Sequence, residues 1–348
     1  GNRIAVGAPG DFTISQKNED AVYIYDRFAA HCTCIPQWQL VQKVKAQKIE
    51  ENEEDCGCKT VEDFDAVGFG TSLTMSRNGR VLVVESRASF ASVNTNAVYI
   101  YESCYNNFAN YSKGKHVNPF QFAQKITSEQ FASAVEPHLV VSLIGSSLAI
   151  DETGEKIAIS ANNADVGVFA SVGVVQTYRR KGHESHWYFS QRLQPRNIAT
   201  QLFFGAAMAM TPDGKYLAVE TGKRESGFVT VFREFCKCYV QDGAEIEAVI
   251  PEFDTINRQQ LAISADGCLL AVGWEVSGDT RGKVNIYERD CTAVNNNVEV
   301  VSYSLKQEIF PSDNEYVFGL LIALSDNATT LAVELGAVGL ETYVQNIY

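Results

Sequence analysis

No apolar run in this sequence is long enough to cross a bilayer: the longest stretches, such as Leu139 to Ile150, are broken by Ser and Gly and fall short of the roughly 20 residues a spanning helix needs. Basic excess is missing too, since 29 Lys and Arg stand against 42 Asp and Glu for a net charge of −13, which repels phosphate backbones and excludes nucleic acid as the main partner. There is no Gly-x-Ser-x-Gly elbow and no phosphate-cradling glycine loop. The cysteines form no Cys-x2-4-Cys hook, so a zinc ribbon is excluded. Gly1-Asn-Arg-Ile opens without a charged segment followed by an apolar one, and any targeting peptide is expected to have been removed.

What is present is a globular composition, 45% apolar and 20% charged over 348 residues, enough for a large core. Nine cysteines include three Cys-x-Cys pairs, Cys32/Cys34, Cys56/Cys58 and Cys236/Cys238, and three single residues, Cys104, Cys268 and Cys291. Two sequons, at Asn110 and Asn327, join them in pointing to an oxidising, secretory route and a secreted or cell-surface location.

One pattern returns along the whole chain. The segments starting at Phe69, Ile144, Phe204, Asn257 and Phe318 are copies of one strand, as in Phe69-Gly-Thr-Ser-Leu-Thr-Met-Ser76 and Phe204-Gly-Ala-Ala-Met-Ala-Met-Thr211. Four of the five lead into a turn ending in Gly, such as Arg77-Asn-Gly79 and Ala265-Asp-Gly267, where positive φ is needed. A second strand of Val, Leu, Ile and Ala follows, for example Val81 to Val84, and its unbroken apolar character predicts burial on both faces. The third strand, Ala-Val-Tyr-Ile-Tyr at both 21–25 and 97–101, reads as alternating, with one buried and one wetter face. A fourth, amphipathic strand is headed by an aromatic residue: Trp38, Phe120, Trp187 and Tyr303, each followed four positions on by Gln. Four antiparallel strands per unit describe a β-propeller blade. The expectation is an all-β chain, one propeller domain over 1–348, with about six four-stranded blades at 1–68, 69–143, 144–203, 204–256, 257–317 and 318–348. The end blades are incomplete: the first lacks its first strand and the last its fourth, giving 3, 4, 4, 4, 4 and 3 strands.

These residues resemble the FG-GAP repeat of integrin α-subunits. Phe-Gly opens three units, Gly7-Ala8-Pro9 supplies the Gly-Ala-Pro, and the aromatic-x3-Gln-Lys-Val/Ile ending recurs. The resemblance implies an extracellular adhesion or structural module that binds a protein partner. Departures are plain: Gly-Ala-Pro is replaced by Glu85-Ser-Arg, Ser160-Ala-Asn, Glu220-Thr-Gly, Gly273-Trp-Glu and Glu334-Leu-Gly. The hairpins are too short for the calcium ligands of integrin-like repeats, so no metal or other cofactor is expected.

Candidate sites are few. His183 and His186 lack a third ligand nearby and read as loop residues rather than a metal site. The segment 50–65 is strongly acidic, and Glu51, Glu53, Glu54, Asp55, Asp63 and Asp65 are the candidate partner-binding loop. Cys268 begins a second strand and Cys291 follows the third strand of the same unit; antiparallel neighbours bring those ends together, so a disulfide is expected. Asn110 and Asn327 are the candidate glycosylation sites. The function read from the sequence is a non-catalytic adhesion or interaction module, working within a larger polypeptide or assembly. A carbohydrate-binding propeller is the alternative, which needs third-strand Tyr side chains facing outward; a propeller hydrolase or lactonase ranks below it.

Overall fold

A computed structural model of the chain describes residues 2–10, 20–28, 37–52, 57–62, 66–87, 96–103, 119–133, 139–141, 143–182, 186–223, 226–247, 255–277, 282–291, 302–311, 317–336 and 341–346. Six antiparallel sheets of three or more strands follow one another along the chain, their strands in sequence order, with Asp165–Val166 interposed between the second and third strands of sheet three. Sheet one has Arg3–Ala8, Ala21–Phe28 and Gln37–Val44. Sheet two has Leu73–Met75, Val81–Ser86, Ala97–Ser103 and Phe120–Thr127. Sheet three has Leu148–Ile150, Lys156–Ala161, Val174–Arg179 and Tyr188–Leu193. Sheet four has Met208–Met210, Tyr216–Lys223, Ser226–Phe235 and Cys238–Gln241, with Ile246–Glu247 added to its third strand. Sheet five has Thr255–Ile263, Leu269–Ser277, Lys283–Glu288 and Ser304–Ile309, and sheet six Val317–Leu324, Thr330–Gly336 and Glu341–Asn346.

The fold is therefore all-β and of propeller type, with the two end sheets incomplete. The described residues divide into two units, Gly1–Ile159 with Tyr178–Phe189 and Ser160–Thr177 with Ser190–Tyr348, and the strands of sheet three contribute to both. No helix among the described residues is long and apolar enough to cross a membrane.

Two local readings change. In sheets two and four the opening Phe-Gly lies in a turn ahead of the first strand, which begins only at Leu73 and Met208, whereas in sheet six Phe318-Gly319 falls within Val317–Leu324. In the third strand, Ala97 to Tyr101 is buried throughout rather than on alternate residues, because both faces of sheet two are covered. On one side Tyr99, Tyr101, Leu82 and Val84 pack with Val22, Ile24, Val44 and Phe69. The Phe69 ring meets those of Tyr99 and Tyr101 edge-on at 5.5 and 6.1 Å, a geometry the ring quadrupoles favour.

The turn joining first and second strands is built the same way in sheets two, four, five and six. In sheet four the Thr211 hydroxyl donates to Asp213 Oδ1 at 2.6 Å, while the N–H groups of Lys215 and Tyr216 donate to Asp213 Oδ1 and Thr211 Oγ1. Ser76/Asn78, Ser264/Asp266 and Ser325/Asn327 repeat it. The last turn residue is left-handed each time, Gly79, Gly214 and Gly267 at φ 69°, 63° and 70°, but the sixth sheet places Ala328 there at φ 55°.

Candidate functional site

The features that recur between sheets are the places where one blade reads the next, and the residues responsible are short, polar and easily overlooked. The Gly of the opening Phe-Gly or Ile-Gly is left-handed, at φ 98°, 88°, 89° and 85° for Gly70, Gly145, Gly205 and Gly319. It also seats the turn against the preceding second strand: a Cβ on Gly145 would lie 3.1 Å from Glu85 Cβ, and one on Gly205 would lie 2.8 Å from Ser160 Cβ. Glu85 and Ser160 are residues that replace the Gly of Gly-Ala-Pro, so the exchange places side chains of different size and charge in one recurrent seam.

In two blades that seam holds a buried acid. Glu85 is 1% exposed and Glu220 3%. Burial pushes both carboxyls up to about 8; the Arg87 guanidinium pulls Glu85 back only partly, and the Ala207 N–H does the same for Glu220. Neither oxygen of Glu85, nor Oε2 of Glu220, has a hydrogen-bond partner among the described residues, and Arg87 Nε stands 3.8 Å from Glu85 Oε1. Burial thus favours the protonated form of both side chains at neutral pH.

Towards the outer strands the fold uses the aromatic-x3-Gln motif as a joint. The Gln42 side chain donates from Nε2 to the Phe120 carbonyl at 2.9 Å and accepts the Phe120 N–H at Oε1 at 2.7 Å. Gln124 does the same to Trp187 at 2.9 and 2.8 Å, and Gln191 to Tyr239 at 2.9 and 2.7 Å. Each Gln thus grips both main-chain polar groups of the aromatic residue heading the next fourth strand. The ring then ties down its own blade: Trp187 Nε1 donates to the Gly154 carbonyl, Tyr239 Oη to that of Gly214 and Tyr303 Oη to that of Gly267. Phe120 has no such donor; Arg3 lies over its ring at 5.3 Å and donates to the Gly79 carbonyl instead. Arg180 and Arg289 stack on Trp187 and Tyr216 at 4.1 and 4.0 Å and pair with Glu102 and Asp242.

Of the acidic segment, only part lies among the described residues. Gln47–Asn52 and Gly57–Glu62 form a two-stranded hairpin rather than an open loop, with Glu51 opposite Cys58 and Glu50 opposite Lys59. Glu53, Glu54, Asp55, Asp63 and Asp65 lie outside the described residues, as do Asn110 and His183. Asn327 is exposed, its Oδ1 held by the Ser325 and Thr329 hydroxyls. Cys268 and Cys291 are disulfide-bonded with Cα atoms 5.9 Å apart, while Cys236 and Cys238 are free and exposed at a hairpin tip. The turn carboxylate oxygens are engaged by the turn's own donors, and no group of three or more metal-ligating side chains occurs among the described residues.

The third-strand rings of Tyr99, Tyr101, Tyr178 and Tyr287 are buried, while Tyr23 and Tyr25 of sheet one are half-buried. Exposed apolar residues lie elsewhere. Sheet one presents Ile4, Val6, Trp38 and Leu40 at 41, 46, 42 and 54% exposure, and register places Ile4 and Leu40 on either side of Tyr25.

No protein-family model matches the chain, and no curated protein matches it. Among solved structures it is similar to Sqt1 of Chaetomium thermophilum, at 13% identity over 90% of this chain and 74% of that one, with a TM-score of 0.49. It is also similar to a putative 6-phosphogluconolactonase from Bacteroides uniformis, at 10% identity over 100% and 97% of the two chains with a TM-score of 0.45. Prolyl oligopeptidase B from Galerina marginata matches at 9% identity over 94% of this chain and 41% of its own, again with a TM-score of 0.45. The propeller assignment stands on the sheets themselves.

Proposed function

We propose that the chain is a secreted or cell-surface β-propeller of FG-GAP-like type that works as a non-catalytic adhesion or structural module. The observation that carries this reading is the apolar face of sheet one, where Ile4, Val6, Trp38 and Leu40 are exposed around half-buried Tyr23 and Tyr25. A cluster of large apolar side chains on the surface of a water-soluble fold marks an interaction surface. The protein partner would dock there, and the acidic segment with Glu51, Glu53, Glu54, Asp55, Asp63 and Asp65 would steer a basic one. The Cys268–Cys291 disulfide and the exposed Asn327 sequon favour the extracellular setting.

The test is capture from native extracellular material by the full chain and by an Ile4→Lys, Val6→Lys double variant. The reading expects a discrete protein retained by the first and lost by the second. Equal retention by both would remove the apolar face from the account. Hydrolysis of a lactone or peptide panel that disappears in Glu85→Gln or Glu220→Gln would replace the module by an enzyme.

A further inference from the structure

We propose that the Cys236-Lys237-Cys238 tip of sheet four is a thiol–disulfide exchange site for a polypeptide that carries an accessible disulfide. This goes beyond the interaction-module reading and rests on a different surface. Ser226–Phe235 and Cys238–Gln241 are joined by two residues alone, the shortest of the third-to-fourth-strand connections. Both are left-handed, Cys236 at φ 50° and Lys237 at φ 69°, the signs of a type I′ turn that Asn-Gly adopts readily. Cys and Lys hold it against their own preference because the strands beneath are clamped. Phe235 pairs with Cys238 and Glu234 with Tyr239, Gln191 grips both main-chain groups of Tyr239, and the Tyr239 hydroxyl donates to the Gly214 carbonyl at 2.6 Å. Cys236 and Cys238 are free thiols, both exposed, and no third metal-ligating side chain joins them among the described residues.

The surroundings of the two thiols specify the substrate. Directly opposite residues of an antiparallel pair share a face, as do residues two apart on one strand, so Phe235, Cys238 and Val240 lie together on the outward face while Tyr239 is buried on the other. Phe235 is 62% and Val240 43% exposed, an apolar flank beside a nucleophilic sulfur, which suits a peptide segment better than a small hydrophilic thiol compound. The Cys238 thiolate attacks one sulfur of the incoming disulfide; that S–S bond breaks, a mixed disulfide forms, and the first substrate thiolate leaves and takes up the proton that Cys238 gave up. Cys236 then attacks the Cys238 sulfur, which releases the second substrate thiol and closes a Cys236–Cys238 bond. Two trans peptide steps of about 3.8 Å, bent through left-handed Lys237, keep the two Cα atoms roughly 5–6 Å apart, within the span of a disulfide. The protein dithiol is oxidised by two electrons and the substrate disulfide reduced by two, so no further reagent is needed.

The test mixes the full chain, with Cys236 and Cys238 as thiols, with the disulfide-linked dimer of the peptide Lys-Phe-Cys-Leu-Lys, and reads released peptide thiol together with a peptide map of the hairpin. Against the background of a Cys236→Ser, Cys238→Ser double variant, the wild type should release two further equivalents of thiol and end with a Cys236–Cys238 bond. Cys236→Ser alone should stop at one equivalent, with the peptide held on Cys238. Phe235→Ser should slow exchange with the peptide about tenfold and exchange with oxidised glutathione by less than about twofold. Thiols that do not exchange in the native chain, or that map to bonds with other cysteines of the chain, overturn the proposal. So does a wild-type mixed disulfide that Cys236 never resolves, and so does a Phe235→Ser variant that reacts with both disulfides as the wild type does, since the apolar flank then selects nothing. The Ile4→Lys, Val6→Lys variant separates this site from the sheet-one surface: it should lose captured partner and keep the exchange.

Discussion

The pentapeptide Ala-Val-Tyr-Ile-Tyr occurs twice, at 21–25 and 97–101, and has two different fates. In sheet two both rings are sealed and the flanking second-strand residues Leu82 and Val84 are 0% exposed. In sheet one Tyr23 and Tyr25 are half-buried, and Ile4 and Val6, which occupy the places of Leu82 and Val84 in the register, are open to solvent. Identical local sequence gives identical strands; the neighbour on the sheet face decides whether the same atoms hold the fold together or remain available for binding. Sheet two is covered by Val22, Ile24 and Phe69, and no strand pairs with the first-strand side of Arg3–Ala8 among the described residues.

The largest contrast should appear on truncating the equivalent rings. Tyr99→Ala should cost about 3–5 kcal/mol in urea unfolding, the range for emptying a buried aromatic site, and Tyr23→Ala less than half of that. Equal costs would mean that sheet one is covered in solution and would break the comparison.

Next comes the seam residue, Gly7 in sheet one and Glu85 in sheet two. Below the ordinary carboxyl range Glu85 and Glu220 are protonated whether the chain is folded or not. As pH rises from about 4.5 to about 8 the unfolded chain releases these protons while the folded chain keeps them, so stability falls across that window and levels off above it. Glu220→Gln should therefore be nearly neutral at pH 4 and gain on the order of 2–4 kcal/mol over the wild type at pH 9. A pH-independent difference would show that the carboxyl is hydrated.

Smaller effects separate a Gln in a joint from Gln307, which makes no side-chain hydrogen bond among the described residues. Gln124→Ala leaves the Trp187 N–H and carbonyl without their partner and should cost about 1–3 kcal/mol, whereas Gln307→Ala should change stability by less than about 0.5 kcal/mol. A comparable loss at Gln307 would place an internal partner on it. Smallest of all, Ala328→Gly relieves the left-handed strain that the other turns avoid and should raise stability by about 0.5–1 kcal/mol in the same unfolding measurement. No gain there would mean that the sixth turn relaxes to another conformation.

Much of the architecture was legible because strand patterning and turn chemistry are local. The Val81 to Val84 run, the Asn-Gly and Asp-Gly turns and the aromatic heads recur at readable positions, and six sheets with short ends follow from them. The joints were not legible in the same way. Gln42 reaches 78 residues ahead, Gln124 63 and Gln191 48, and each reads main-chain atoms that leave no mark on the sequence. The fourth strand of sheet four was expected but not placed on residues, because Tyr239 is followed four positions on by Gly243 instead of Gln. Glu85 and Glu220 were visible as departures from Gly-Ala-Pro, but a carboxyl is ordinarily a surface group, and nothing local announces that the next blade closes over it. The pairing of Gln47–Asn52 with Gly57–Glu62 was hidden by the density of acidic residues, which mimics a solvated loop.

The glutamine joint has a consequence for how such a chain changes over time. Because it grasps peptide groups, Phe120, Trp187 and Tyr239 all satisfy it, so successive units can diverge in side chain while the mechanical coupling between them is preserved. It also has a direction, from the fourth strand of one unit to the head of the next. A duplicated, inserted or transplanted unit therefore docks without redesign provided that it enters in the same orientation, which makes the array a coupling standard as much as a scaffold.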